Sequence, residues 1–212
     1  MSLGYALRRI VEEYPLARLD PPAGHPLAAV IRRGAADELR AALKAIDGPF
    51  LVKGSPGRGS NWAAVPWLAV FDPAVTTSAT RGYYLVYLFP ADREVVHLSL
   101  AQGTVAAIRE HGPRAEAYLR TSGDALRTRL SDFAGRLPHR SISLGSAGEL
   151  PDGYEAAHIL GLTYDLDDLG DERRLWADLA VGAAADRALK ARGGLADCVA
   201  PQSVRSDRRW TG

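Results

Sequence analysis

The sequence predicts an α+β domain: a central, mostly antiparallel, curved β-sheet flanked by N-terminal, middle and C-terminal helices. Three observations predict it. Helical spacing of apolar residues fills positions 3–46 and returns after residue 103. Between them lie four short runs of β-branched and aromatic residues joined by short links, the pattern of an antiparallel meander. The chain has 212 residues, 47% hydrophobic and 24% charged, enough for one domain with a real core.

The elements follow in order. Leu3, Leu7, Ile10, Val11 and Tyr14 share one face of a helix over residues 3–14, which Pro15 limits. Residues 16–26 are proline-rich and aperiodic, a loop. A helix over 27–46 turns Leu27, Val30, Ile31, Leu39, Leu43 and Ile46 inward, with Gly34 as an interruption and Asp47-Gly48-Pro49 as its stop. Residues 50–52 form a short strand entering a glycine-rich loop. Residues 63–71 form a second, in which Pro66 calls for a bulge or an edge. After a polar connection, residues 82–89 form a third. Residues 94–100 form a fourth, with Val96, Leu98 and Leu100 opposite Val95, His97 and Ser99. Helices are expected over 104–110 and 113–137, an irregular stretch over 141–153, a fifth strand over 156–165 and a last helix over 171–192, ended by Gly193-Gly194. The domain is placed at residues 1–195. Residues 196–212, with Arg205, Arg208 and Arg209, read as a polar tail or a linker to an effector domain.

Composition excludes several functions. A net charge of +1 rules out a general polyanion binder, so any nucleic-acid surface must come from local asymmetry. Such asymmetry exists over residues 104–140, where Arg109, Arg114, Arg120, Arg127, Arg129, Arg136 and Arg140 outnumber Glu110, Glu116, Asp124 and Asp132. The single cysteine, Cys198, can form neither an internal disulfide nor a cysteine-based zinc site, and points to the cytoplasm. There is no signal-like start and no run of about 18 apolar residues. The five histidines lack metal-binding spacing, Asp165, Asp167 and Asp168 lack the rest of a calcium loop, and Ser146 does not sit in G-x-S-x-G. No catalytic residue, metal or cofactor is expected. Asp72, Asp92, Glu94 and Lys53 could be assembled into a nuclease centre on paper, which keeps a nuclease or base-excising enzyme as the alternative.

Two features remain. The stretch Lys53-Gly-Ser-Pro-Gly-Arg-Gly-Ser60 resembles a phosphate-binding loop but has Ser60 where the essential lysine belongs, and a tryptophan-bearing strand follows it instead of a helix. It is either a surface hairpin loop or a mobile loop whose tip, Arg58, enters a DNA groove. Trp62, Trp67, Tyr83, Tyr84, Tyr87 and Phe89 are the second feature. Alternation puts Tyr83, Leu85, Tyr87 and Phe89 on one sheet face and Tyr84, Val86 and Leu88 on the other. One face must be core. The other can form a cage in which Trp67 and Tyr84 bracket a flat ligand, with Leu88 at its wall.

Residues 52–72, the run Gly82-Tyr-Tyr-Leu-Val-Tyr-Leu-Phe89 and the run Leu98-Ser-Leu-Ala-Gln-Gly103 together resemble the McrB-like N-terminal domain family, with a weaker match at Tyr154 and the strand after it. The resemblance implies a DNA-reading module of a modification-dependent restriction system, joined to a separate nuclease or motor. It implies binding of duplex DNA with a modified cytosine, methylated or hydroxymethylated, and eversion of that base into an aromatic pocket. Carried over by position, Trp67, Tyr84, Leu88 and Tyr154 would form the pocket. Arg58 or Gly59 would be the inserting tip, and Lys53, Ser55, Ser60 and Asn61 would contact phosphates. The reading requires a cavity open to solvent and sized for one everted base.

Overall fold

The computed structural model describes residues 1–90 and 92–196. Cys198 and the arginines of the expected tail lie outside the described residues. Five strands make one sheet in chain order: β1 (Leu51–Arg58), β2 (Asn61–Phe71), β3 (Tyr83–Leu88), β4 (Val95–Gln102) and β5 (His158–Asp165). Every neighbouring pair is antiparallel, so the expected meander extends to the fifth strand.

One sheet face is covered by α1 (Leu3–Ala17), α2 (Pro26–Ala29), α3 (Ala35–Leu43) and α7 (Glu172–Ala191). Leu7, Ile10, Ile31, Leu39, Leu175 and Leu179 from these helices meet Leu68, Val70, Leu85 and Tyr87 from the strands in the main core. Three further helices, α4 (Thr104–His111), α5 (Ala115–Arg129) and α6 (Glu149–Ala157), join around Ala107, Leu119, Ala156 and Ala157. α7 starts at Asp171, whose carboxylate accepts from the Arg174 N–H at 3.0 Å.

Four elements differ from the sequence expectation. α1 runs through Pro15 to Ala17, because a proline in the last turn costs only its bond to the carbonyl four residues back. The helix expected over 27–46 contains a π-turn at Val30–Gly34, so Gly34 marks a widened turn inside a continuing helix. α5 ends at Arg129, eight residues early. Leu130 leaves helical geometry (φ −111°, ψ 23°), and this lets Leu130, Phe133 and Leu137 all turn into the core. α6 takes the end of the stretch expected to be irregular and the first two residues of the expected fifth strand; Pro151 lies in its first turn, where proline is tolerated.

The glycine-rich segment is strand, not loop. β1 and β2 form a hairpin that narrows to a two-residue turn at Gly59-Ser60, with Arg58 paired to Asn61. Gly59 has φ +58°, as the first residue of a tight hairpin turn requires. The register shifts between Ser55 and Gly57, and Pro66 lies opposite this irregular stretch on an interior strand, so it marks a bulge and not an edge. The bulge leaves ladder carbonyls open. Tyr14 fills the gap, its hydroxyl donating to Ala63 O at 2.6 Å. Trp62 adds a second anchor: its ring stands edge-on to Tyr14 at 5.3 Å and its Nε1 donates to Asp20 O at 2.6 Å. The hairpin arm is therefore tethered through Tyr14 and Trp62 just behind its tip, and residues 58–61 of the tip itself are exposed.

The hairpin also needs close backbone approach. A methyl group on Gly54 would stand 1.9 Å from the Ile31 carbonyl oxygen in the π-turn. Gly54→Ala is expected to cost about 3 kcal/mol by forcing strand and helix apart. Urea unfolding should show a lower midpoint with an unchanged slope.

Candidate functional site

The alternation on β3 is realised residue for residue. Tyr83, Leu85, Tyr87 and Phe89 enter the helix-covered core, and Tyr84, Val86 and Leu88 belong to a second apolar cluster on the opposite face. Strand register carries that second face across the sheet in rows. Trp67, Leu88, His97 and Thr163 form one row, and Ala69, Val86, Ser99 and Gly161 the next. Tyr84, Ala101 and His158 form a third. The face is aromatic and apolar over β2 and β3, and polar over β4 and β5.

Its two halves are covered differently. Over β4 and β5 lies the segment 138–144, held by reciprocal backbone hydrogen bonds between His139 and Gly161 at 3.0 and 3.1 Å. Ile142 and Leu144 of this segment join the second cluster. Over β3 stand α6 and the 72–82 connection, and between them and the sheet is a cavity. Trp67, Tyr84, Leu88 and Tyr154 all line it, together with Val86, Ala101 and Gln102. Four residues singled out in the sequence, from β2, β3 and α6, therefore meet at one place.

The cavity is a slit. It holds about 310 Å³ of atom-free space, but only about 10 Å³ of this admits a water-sized sphere, room for about one water. The expectation of an open, base-sized hollow is corrected on this point: the rings stand too close together, and a flat ligand must part them. Tyr84 is buried and fixed, its hydroxyl donating to Ala79 O at 2.9 Å and its ring tilted against Phe71 at 5.1 Å. Trp67 is half-buried, at the mouth. Burial pushes the Tyr154 phenol pKa up, and the nearby charge of Arg58 pulls it the other way.

The loop residues spread along the hairpin. Arg58, Gly59, Ser60 and Asn61 are exposed at its end. Ser55 pairs directly across from Trp67. Lys53 lies further down the arm, where its ammonium donates to Thr77 O at 2.8 Å and sits 5.8 Å from the Phe71 ring centre, tying the hairpin to the 72–82 connection. Gln102 is a cavity residue that the sequence reading did not assign. Its Nε2 donates to Leu119 O at 2.9 Å, which orients the amide in the wall. The signal was present, since Gln102 belongs to the Leu98–Gly103 motif.

The paper nuclease does not assemble. Asp72 is buried in an ion pair with Lys190 and follows β2, whereas Asp92 and Glu94 lie in the turn at the opposite end of β3. Among the described residues no group of three His, Cys, Asp or Glu side chains could hold a metal ion.

The polar half of the face is a closed histidine network. His97 Nε2 lies 3.1 Å from Ser143 O, and a carbonyl only accepts, so Nε2 carries the proton. His97 Nδ1 then accepts from the Thr163 hydroxyl at 2.8 Å, and Thr163 accepts from His139 Nδ1 at 2.9 Å. By the same logic His158 Nε2 donates to His139 O at 3.0 Å, and its Nδ1 accepts from the Ser99 hydroxyl at 2.6 Å. With His97 and His158 neutral, each of these hydrogen bonds has one donor and one acceptor. Burial pushes both pKa values down, that of His158 to about 4. Ser99 and His158 have the composition of a nucleophilic dyad, but both are sealed from solvent, so the pair is structural.

A family model described as MrcB-like, N-terminal domain matches residues 9–185, which takes in all five strands. The chain belongs to the MrcB-like N-terminal domain family. It is a DNA-binding domain of the kind used by restriction systems. No curated protein matches the chain. Among the described residues of this MrcB-like domain, no helix is long and apolar enough to cross a membrane.

The histidine network gives the MrcB-like domain a pH signature. His158 has a lower pKa folded than unfolded, so the unfolded chain binds the extra proton between about pH 6.5 and 4, and its stability contribution falls with pH through that window. Asp186, buried on α7 with its pKa raised to about 7 by burial and by Asp72, works in the opposite direction. Comparison with a variant isolates the histidine. Relative to His158→Gln, the parent should lose about 3 kcal/mol of unfolding free energy between pH 7 and pH 4. Urea titrations at four or five pH values measure it.

Proposed function

We propose that this DNA-binding domain recognises a modified cytosine, methylated or hydroxymethylated, in duplex DNA by everting the base into the slit between Trp67, Tyr84 and Tyr154. The carrying observation is convergence. Residues that separate sequence motifs assign to a base pocket line one cavity, on the sheet face that the large helices leave uncovered. An everted base stacks on the rings, with Leu88 and Val86 beneath it. Gln102 offers an amide to the hydrogen-bonding edge of the base. The tethered hairpin carries Arg58 toward the duplex, where its guanidinium can fill the gap and bond the orphaned guanine. Ser55, Ser60 and Asn61 position the strand without reading sequence.

The domain itself is proposed to be non-catalytic and to act in the cytoplasm, with residues 1–195 as the reader and the following residues leading to a nuclease or motor. The sealed Ser99–His158 pair and the separated carboxylates support this over a nuclease or base-excising enzyme.

Trp67 gives the cleanest test, because Tyr84 and Leu88 are buried and their loss also costs stability. Wild-type protein should prefer a methylated duplex to the plain one by about tenfold, the worth of one methyl group in a fitted apolar pocket. Trp67→Ala should bind both duplexes equally in fluorescence anisotropy; retained preference would exclude the slit as the reader. Arg58→Ala should weaken both duplexes alike, and unchanged affinity would exclude insertion of the tip. Release of base or cleavage of strand by the isolated chain with Mg²⁺ would overturn the non-catalytic assignment.

A further inference from the structure

A second hollow lies beside the slit, between the 72–82 connection and α4. It is lined by Ser78, Thr80, Arg81, Val105, Ala106 and Arg109. No carboxylate of the described residues lines it. Arg81 and Arg109 are exposed, and neither side chain makes a hydrogen bond or ion pair with any described residue. Arg109 stands one turn along α4 from Val105, so the same helix face supplies the hollow's floor and its cation. The Ser78 and Thr80 hydroxyls lie 2.9 Å apart and share one hydrogen bond, which leaves one O–H free to donate. Two free guanidinium groups and a spare hydroxyl donor around a carboxylate-free hollow form a receptor for a tetrahedral oxyanion.

The two hollows share a wall. Ala79 lines the slit and takes the Tyr84 hydroxyl, while its neighbours Ser78 and Thr80 line the second hollow. The wall is held from behind, since Ala106 N donates to Thr80 O at 2.8 Å and Gly103 N to Gly82 O at 2.8 Å. The hollows differ in readiness. About 350 Å³ of the second admits a water-sized sphere, against about 10 Å³ of the slit.

We infer that Arg81 and Arg109, with Ser78 and Thr80, clamp a phosphodiester group of the DNA strand that carries the everted base. The identity of the phosphate, next to the target nucleotide, rests on the base-flipping reading; the clamp itself does not. The open, charged hollow engages the backbone first and holds the nucleotide at the mouth of a slit that must still part.

The experiment uses the whole chain and fluorescent duplexes, methylated and plain, over a range of salt. Arg81→Ala/Arg109→Ala should bind both duplexes about tenfold to a hundredfold more weakly near physiological salt, with the slope of log affinity against log salt shallower by about 1, the share of one phosphate. The methylated-to-plain ratio should not change. Arg81→Lys/Arg109→Lys should keep the slope, which separates lost charge from lost structure. Methylphosphonate substitution of single phosphates then locates the contact: one neutral phosphate adjacent to the modified cytosine should weaken wild type and leave the double alanine variant unaffected. An unchanged salt slope, or equal losses in both proteins at every phosphate, would overturn the clamp. If wild-type protein binds methylated and plain duplexes equally, the base-flipping reading fails alone, and the salt slope still decides the clamp.

Discussion

The structure depends on β3 being buried on both faces. Six consecutive residues, Tyr83 to Leu88, are all inaccessible, and their alternation serves two different neighbours. A strand between a helical layer and a covered cavity has no solvent face, so it must be apolar throughout and must divide its rings by parity. Moving the strand by one residue would send Tyr84 into the main core and Tyr83 into the slit. The second face is thus specified by the same register that fills the first. The main core, which is large, fixes the geometry of the slit, which is small.

That arrangement explains where the site is rigid and where it can yield. Tyr84, Val86 and Leu88 sit on paired strands at the centre of the sheet, and the histidine network and the segment 138–144 hold β4 and β5 beside them. The remaining walls are less enclosed. Trp67 is half-exposed, Ala79 belongs to a connection and Tyr154 to a nine-residue helix. Elements with fewer buried contacts open at lower free energy than paired central strands. A slit with a fixed floor and yielding walls can admit a flat ring without disturbing the fold.

Much of this was legible in the sequence, for physical reasons that differ by element. The parity of β3, with Tyr83, Leu85, Tyr87 and Phe89 against Tyr84, Val86 and Leu88, follows from a two-residue period that this strand obeys. The glycine-rich segment has the composition of a loop because glycine and proline disfavour strands locally; here the bulge, Tyr14 and the approach to Ile31 make them necessary in a strand. The end of α5 could not be read, because Leu130, Phe133 and Leu137 keep an apolar spacing compatible with a continuing helix while the core demands a turn. Arg81 was invisible as a site residue. It becomes one only where the connection meets α4, a juxtaposition of residues far apart in the chain.

On the proposed reading, the energies explain why recognition of one methyl group should be built on contacts that ignore the methyl group. Everting a base costs a few kcal/mol. Stacking on aromatic rings returns about 1–3 kcal/mol per base. A slit that must also part adds to the cost, so aromatic contact alone leaves little surplus. The methyl group contributes about 1 kcal/mol, enough to bias an equilibrium that other contacts have brought near balance. Those contacts must come from the backbone, and the structure offers cations on two sides of the slit, Arg58 on the hairpin tip and Arg81 with Arg109 beyond the shared wall. A net charge of +1 is compatible with this design, because what matters is unpaired guanidinium groups near the cavity and not the charge of the whole chain.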